Sequence, residues 1–234
     1  MAGNKLDVRV YPIDEPKGST MAFANIAVDG IIAIRGARVV LGEKGAFVSM
    51  PQSKDKEGSY HDIAFPLNGD LRKEITADVL GEYDRVASLP PDQRGYGTQD
   101  IGAAEVRKPE EIKIEVRVYP LDDPQGSTRA FASVSFDDLA AIRGIRVVEG
   151  EKGLFVTMPQ SKDRGGDYHD VAFPLSGDLR KEINKAILDE YKVIEKPADK
   201  SLADGLRKGA EKAAGHKAAP RESAAKSRGA GALE

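Results

Sequence analysis

Apolar and polar residues alternate from Leu6 to Ile13, with Val8 and Val10 set against Arg9 and Tyr11, until the turn Asp14-Glu15-Pro16-Lys17-Gly18 ends the pattern. A period of two sends successive side chains to opposite faces, so this run predicts a half-buried β-strand. Thr20 to Val28 predicts a second, with Ala22, Ala24, Ile26 and Val28 on one face. Asp29-Gly30 is a tight-turn pair that folds it back into Ile31 to Leu41 as a hairpin. Gly42-Glu43-Lys44-Gly45 predicts the next turn, and Ala46 to Met50 a short strand closed by Pro51. A polar loop, Gln52 to Ser59, precedes Tyr60-His61-Asp62-Ile63-Ala64-Phe65-Pro66. The period then changes. Leu71, Ile75, Val79 and Leu80 recur at helical spacing through Tyr83, with Asp70 as the expected cap and Glu74 in the first turns.

The same pattern returns 108 residues later without insertion or deletion. Val8-Arg9-Val10-Tyr11-Pro12 becomes Val116-Arg117-Val118-Tyr119-Pro120, and Met50-Pro51-Gln52-Ser53-Lys54-Asp55 becomes Met158-Pro159-Gln160-Ser161-Lys162-Asp163. About 51 of the 77 positions from Asp7 to Tyr83 are identical to their partners, which establishes a duplication. The period is too long for a solenoid unit and suits a small domain burying its own core. The turn Asp29-Gly30 becomes Asp137-Asp138, which predicts a different or looser turn there. The fold class is therefore α+β: two tandem small domains, each four or five antiparallel strands and one C-terminal helix covering a sheet face. Pairing of the copies as an intramolecular pseudo-dimer is expected, because it removes exposed sheet edges. Domain 1 spans 5–87, a Pro- and Gly-punctuated linker 88–112, domain 2 113–195, and a basic, Ala/Lys/Gly/Ser-rich tail expected to be disordered 196–234.

Composition narrows the function classes. There is no cysteine, hence no disulfide or thiol chemistry, and no apolar stretch approaches the ~20 residues of a bilayer span. A cytoplasmic protein with no membrane partner is expected. Residues 5–87 carry 11 Lys and Arg against 13 Asp and Glu, and 113–195 carry 12 against 15, whereas the tail carries 9 against 5. The domains are mildly acidic, so any nucleic-acid contact must come from local patches rather than from overall charge.

The strand Val-Arg-Val-Tyr-Pro, Gly18-Ser19-Thr20 with Ala22 and Ala24, Lys44-Gly45-Ala46-Phe47-Val48-Ser49-Met50-Pro51, then Asp62-Ile63-Ala64-Phe65-Pro66 and a closing helix resemble the SpoVG family of septation regulators. Copy two is the nearer match, with Lys152-Gly153-Leu154-Phe155-Val156-Thr157-Met158-Pro159. The resemblance covers both copies and leaves out linker and tail. It implies bacterial cytoplasmic proteins acting in septum formation and sporulation, binding DNA and RNA as regulators, with dimeric single-domain members. Family members carry a Lys-Arg pair after Met-Pro-Ser. Here the loop reads Gln52-Ser53-Lys54-Asp55-Lys56, and an acid among the cations weakens phosphate attraction.

Three kinds of chemistry are open to these residues. His61-Asp62 and His169-Asp170 are the recurring His–carboxylate pairs, but strand neighbours point to opposite faces and a metal needs three or more converging ligands. No phosphate loop, dinucleotide fingerprint or catalytic triad is present. A non-enzymatic protein with no catalytic residues, metal or cofactor is expected. Nucleic-acid binding draws on cations that recur in both copies, among them Arg9/Arg117, Arg35/Arg143, Arg38/Arg146 and Lys44/Lys152. The preferred contacts are Lys54, Arg72, Lys73, Lys162, Arg180 and Lys181, at a loop and at helix N-termini where main-chain N–H groups favour phosphate. The expected partner is DNA or RNA. The alternative is a protein-interaction module of the division septum without nucleic-acid contact. Met50/Met158 and Tyr11/Tyr119 are candidates for contacts between copies, and Phe47/Phe155 are assigned to each domain's own core.

Overall fold

The computed structural model describes residues 5–55, 57–94, 105–124, 126–163 and 165–195. The expected disorder of the tail falls outside them. Copy one runs β1 (Leu6–Pro12), β2 (Thr20–Val28), β3 (Ile32–Gly42), β4 (Gly45–Ser49), β5 (Gln52–Lys54), β6 (Tyr60–Asp62), β7 (Ala64–Pro66) and α1 (Gly69–Ala87). Copy two repeats it as β8 (Ile114–Pro120), β9 (Thr128–Phe136), β10 (Ala140–Gly150), β11 (Gly153–Thr157), β12 (Gln160–Lys162), β13 (Tyr168–Asp170), β14 (Ala172–Pro174) and α2 (Gly177–Glu195). No helix among these residues is long and apolar enough to cross a membrane.

The copies exchange their last strands. β1, β2 and β3 form an antiparallel meander, and the far edge of β3 takes β4 at one end and β14 of copy two at the other. Ala172, Phe173 and Pro174 lie opposite Ile34, Ala33 and Ile32. Reciprocally, Ala64, Phe65 and Pro66 of β7 lie opposite Ile142, Ala141 and Ala140 of β10. Main-chain bonds extend each exchange: Arg35 N–H donates to Val171 O and Arg143 N–H to Ile63 O, both at 2.7 Å. The small side chains Ala33 and Ala141 leave room for Phe173 and Phe65 at these crossings.

One core results rather than two. The inner sheet positions Val10, Ala22, Ala24, Ile26 and Val39, their counterparts Val118, Ala130, Ala132, Val134 and Val147, and the helix residues Leu71, Ile75, Val79, Leu179, Ile183 and Ile187 form one contiguous buried cluster. Each fully buried aliphatic side chain contributes about 1.5–3 kcal/mol. Met50 and Met158 are buried in that cluster.

Three expectations are corrected. The helix N-cap is Asn68, whose Oδ1 accepts from Leu71 N–H at 2.7 Å, and Ser176 Oγ does the same for Leu179 at 3.0 Å. Asp70 sits inside the first turn and pairs with Lys73 instead. The turn of copy two is not looser. Asp137 and Asp138 take φ 47° and 56°, matching Asp29 at 50° and Gly30 at 65°. Both turns close with the same bond, Ile31 N–H to Val28 O and Leu139 N–H to Phe136 O. Aspartate is among the few residues that tolerate this left-handed region. Finally, Phe47 and Phe155 are 48% and 46% exposed. They lie opposite Val40 and Val148 on the outward face. Each ring rests on the glycine at the hairpin neck, so close that a Cβ on Gly42 or Gly150 would meet it at 3.1 or 2.9 Å.

Candidate nucleic-acid interface

β5 and β6 form a short hairpin, with Lys54 opposite Tyr60 and its ammonium 5.7 Å from the ring centroid. Lys162 stands over Tyr168 at the same distance. The connecting loop is shaped by Asp55, which accepts from Ser59 N–H at 2.7 Å and lies 2.6 Å from His61 Nε2. Asp163 and His169 repeat the contact at 2.9 Å. His61 therefore meets a carboxylate six residues back, while Asp62 points away to Gln52 Nε2 at 2.9 Å. The hydrogen bond from His61 holds the Asp55 carboxyl below its usual range, with the Ser59 N–H adding to it against partial burial. His169 and then the Asp167 N–H do the same for Asp163. Among the described residues no group of three or more His, Asp or Glu is placed to hold a metal ion.

The six expected contact residues are surface cations near these hairpins, and the four on the helices are tied to nearby acids. Arg72 lies 3.8 Å from Asp62 and Arg180 2.9 Å from Asp170. Lys73 pairs with Asp70 at 3.2 Å and Lys181 with Asp178 at 2.9 Å. Exposed pairs of this kind hold their partners loosely, at about 0–1 kcal/mol, so a phosphate can compete for the cation.

Strand exchange brings each hairpin against the other copy's sheet. Ser53, Lys54 and His61 of copy one, with Phe131, Arg143, Arg146 and Tyr168 of copy two, line a cleft of about 620 Å³. Its counterpart, about 320 Å³, is lined by Phe23, Arg35, Arg38 and Tyr60 of copy one with Ser161 of copy two. The arginines are aimed by bulges: pairing shifts register at Arg35-Gly36 and Arg143-Gly144, where the glycines take φ 77° and 75°. Arg35 consequently stacks on Phe173 at 4.6 Å and Arg143 on Phe65 at 4.5 Å. Sequence reasoning singled out the recurring arginines but passed over Phe23, Phe131, Tyr60 and Tyr168. The available signal was Phe23 flanked by the inward-facing Ala22 and Ala24, which puts a large ring on the outward face.

The SpoVG family model matches this chain twice, over residues 4–85 and 112–193. The septation protein SpoVG of Myxococcus xanthus is 43% identical over 82 residues, which is 35% of this chain and 81% of that protein. The SpoVG of Archaeoglobus fulgidus is 46% identical over 77 residues, 33% of this chain and 89% of that protein. Each relative therefore corresponds to about one copy. With both halves of the α+β unit matched, this chain belongs to the SpoVG family, as a tandem duplication of its domain.

Proposed function

We propose that this chain is a non-enzymatic regulator of septation that binds nucleic acid through the cations repeated in its two copies, with Lys54, Arg72 and Lys73 and their partners Lys162, Arg180 and Lys181 meeting phosphates. The observation that supports it is the strand exchange. It fixes two equivalent cationic sets on one core, so that two stretches of a sugar–phosphate backbone meet a pre-arranged pair of patches. The names of the relatives supply septation, and the mixed charge of the domains calls for local patches of this kind. The second reading, a protein-interaction module of the septum, draws on β1 and β8, which end their sheets.

Binding of labelled DNA and RNA across a salt series tests the proposal. Affinity should fall steeply between about 50 and 200 mM salt, and the slope should shrink when the six cations become Ala. Absence of binding at low salt would leave the protein-interaction reading.

A further inference from the structure

A row of side chains crosses the outward face of the copy-two sheet. Tyr119 lies opposite Phe131, Phe131 opposite Arg146, and Arg146 opposite Thr157. Adjacent strands lie about 4.8 Å apart, so the two rings and the guanidinium stand side by side. Tyr119 is 54% and Phe131 43% exposed, while their strand neighbours Val118, Ala130, Ala132 and Val147 carry the core. The rings are thus spare to the fold.

The charges on this face differ from those on the helices. Arg117, Arg143 and Arg146 form no ion pair among the described residues. The acids beside them are held chiefly by other groups: Glu115 and Asp138 lie 2.7 and 3.9 Å from Lys113, with Arg117 attracting Glu115 more weakly, and Asp55 is held by His61. Among the described residues that line the cleft, Glu57 is the remaining acid. Copy one carries the same row, Tyr11, Phe23, Arg38 and Ser49, with Phe23 as open as Phe131 but the Tyr11 end closed. There the Tyr11 hydroxyl is buried, and Arg9 and Arg35 are half-buried where Arg117 and Arg143 are exposed.

We propose that this copy-two face, with the cleft it shares with copy one, binds single-stranded nucleic acid, bases stacking on Tyr119 and Phe131 and phosphates meeting Arg143, Arg146 and Lys54. The inference rests on the nucleic-acid reading above and specifies its strand state and surface. Open rings accept any base by stacking, but only a strand whose bases are not already stacked in a duplex offers them. Unpaired arginines beside the rings supply the phosphate attraction that an apolar protein partner would not use.

The test uses the full chain and oligonucleotides of about 16 nucleotides, one sequence prepared as single-stranded DNA, single-stranded RNA and duplex DNA, at about 50 mM salt. One or both single strands should bind about tenfold tighter than duplex, and the arms show which sugar is favoured. Phe131→Leu and Tyr119→Leu, which keep bulk but remove the ring face, should each weaken single-strand binding about tenfold, and Phe23→Leu less. Circular dichroism confirms that each variant is folded. If duplex binds as tightly as single strand, or if the ring variants bind normally while the Arg72/Lys73 variants do not, this proposal fails and the nucleic-acid reading stands. If no oligonucleotide binds, both fail, and binding of polyglutamate in its place would assign the face to an acidic protein.

Discussion

Gly30 lies directly beneath the main chain of Glu105, so that a Cβ at Gly30 would collide with the Glu105 carbonyl oxygen. The linker crosses the copy-one turn here, with Arg107 N–H donating to Gly30 O at 3.1 Å. This contact accounts for the glycine at position 30 where copy two carries Asp138. Asp138 holds the same left-handed backbone without difficulty and is exposed, so conformation alone does not demand glycine at 30. Gly30→Asp should therefore cost about 1–3 kcal/mol by displacing the linker, whereas Asp138→Gly should change stability by less than about 1 kcal/mol. Urea unfolding of the two variants checks this, and equal losses would refute the linker explanation.

Arg107 joins the two copies at these turns. Its Nη1 lies 2.8 Å from Asp29 Oδ2 and 2.7 Å from Asp137 Oδ2, and its Nη2 donates to Glu111 O. Burial works against its charge, but hydrogen bonds to Asp137 and Asp29 more than offset it and raise its pKa. One guanidinium thus offsets two carboxylates that would otherwise face each other across the copies. Arg107→Ala should destabilise the protein by about 1–2 kcal/mol. In the background of Asp29→Asn and Asp137→Asn together the same substitution should cost clearly less, because the repulsion it relieves is gone. A double-mutant cycle in urea measures the difference.

The shared core predicts a single unfolding transition for both copies. Ile183 on α2 is fully buried in the cluster that also holds Ile75 and Val79 of α1. Ile183→Ala should cost about 2–5 kcal/mol, and the loss should be felt in both halves. Hydrogen exchange read at the α1 amides should accelerate as much as at α2 under conditions of global opening. Protection of α1 unchanged by the substitution would show two independent cores.

Much of this architecture was legible in the sequence. The period-two runs of Val8/Val10 and Ala22/Ala24/Ile26, and the helical spacing of Leu71, Ile75 and Val79, report burial on one face, which is a local property. The exchange of β7 and β14 left no such mark. Ala64-Phe65-Pro66 and Ala172-Phe173-Pro174 are identical, so nothing local distinguishes pairing with a copy's own β3 from pairing with the other's. The composite clefts were hidden for the same reason. Residue type alone favours burial of Phe47, but its register opposite Val40 places it outward. The pairing of Arg72 with Asp62 depends on how the hairpin meets the helix, and that of His61 with Asp55 on how the hairpin loop curls back, neither of which spacing along the chain encodes.

The hairpin loops should respond to acid through Asp55 and Asp163. Each carboxyl is held below its usual value, chiefly by a hydrogen bond from His61 or His169 and further by main-chain N–H groups. A group depressed in the folded state contributes stability above its unfolded pKa, about 3.9 for aspartate, and that contribution is lost as pH falls through the lower, folded value. The loop amides of Ser59, Gly166 and Asp167, which donate to these carboxylates, should therefore stay protected down to about pH 4 and open below it. Asp55→Asn with Asp163→Asn should abolish this acid step while leaving the amides of the exchanged strands unchanged. Amide chemical shifts followed from about pH 6 to 3 read both effects, and an acid step that survives in the double variant would place the titrating group elsewhere.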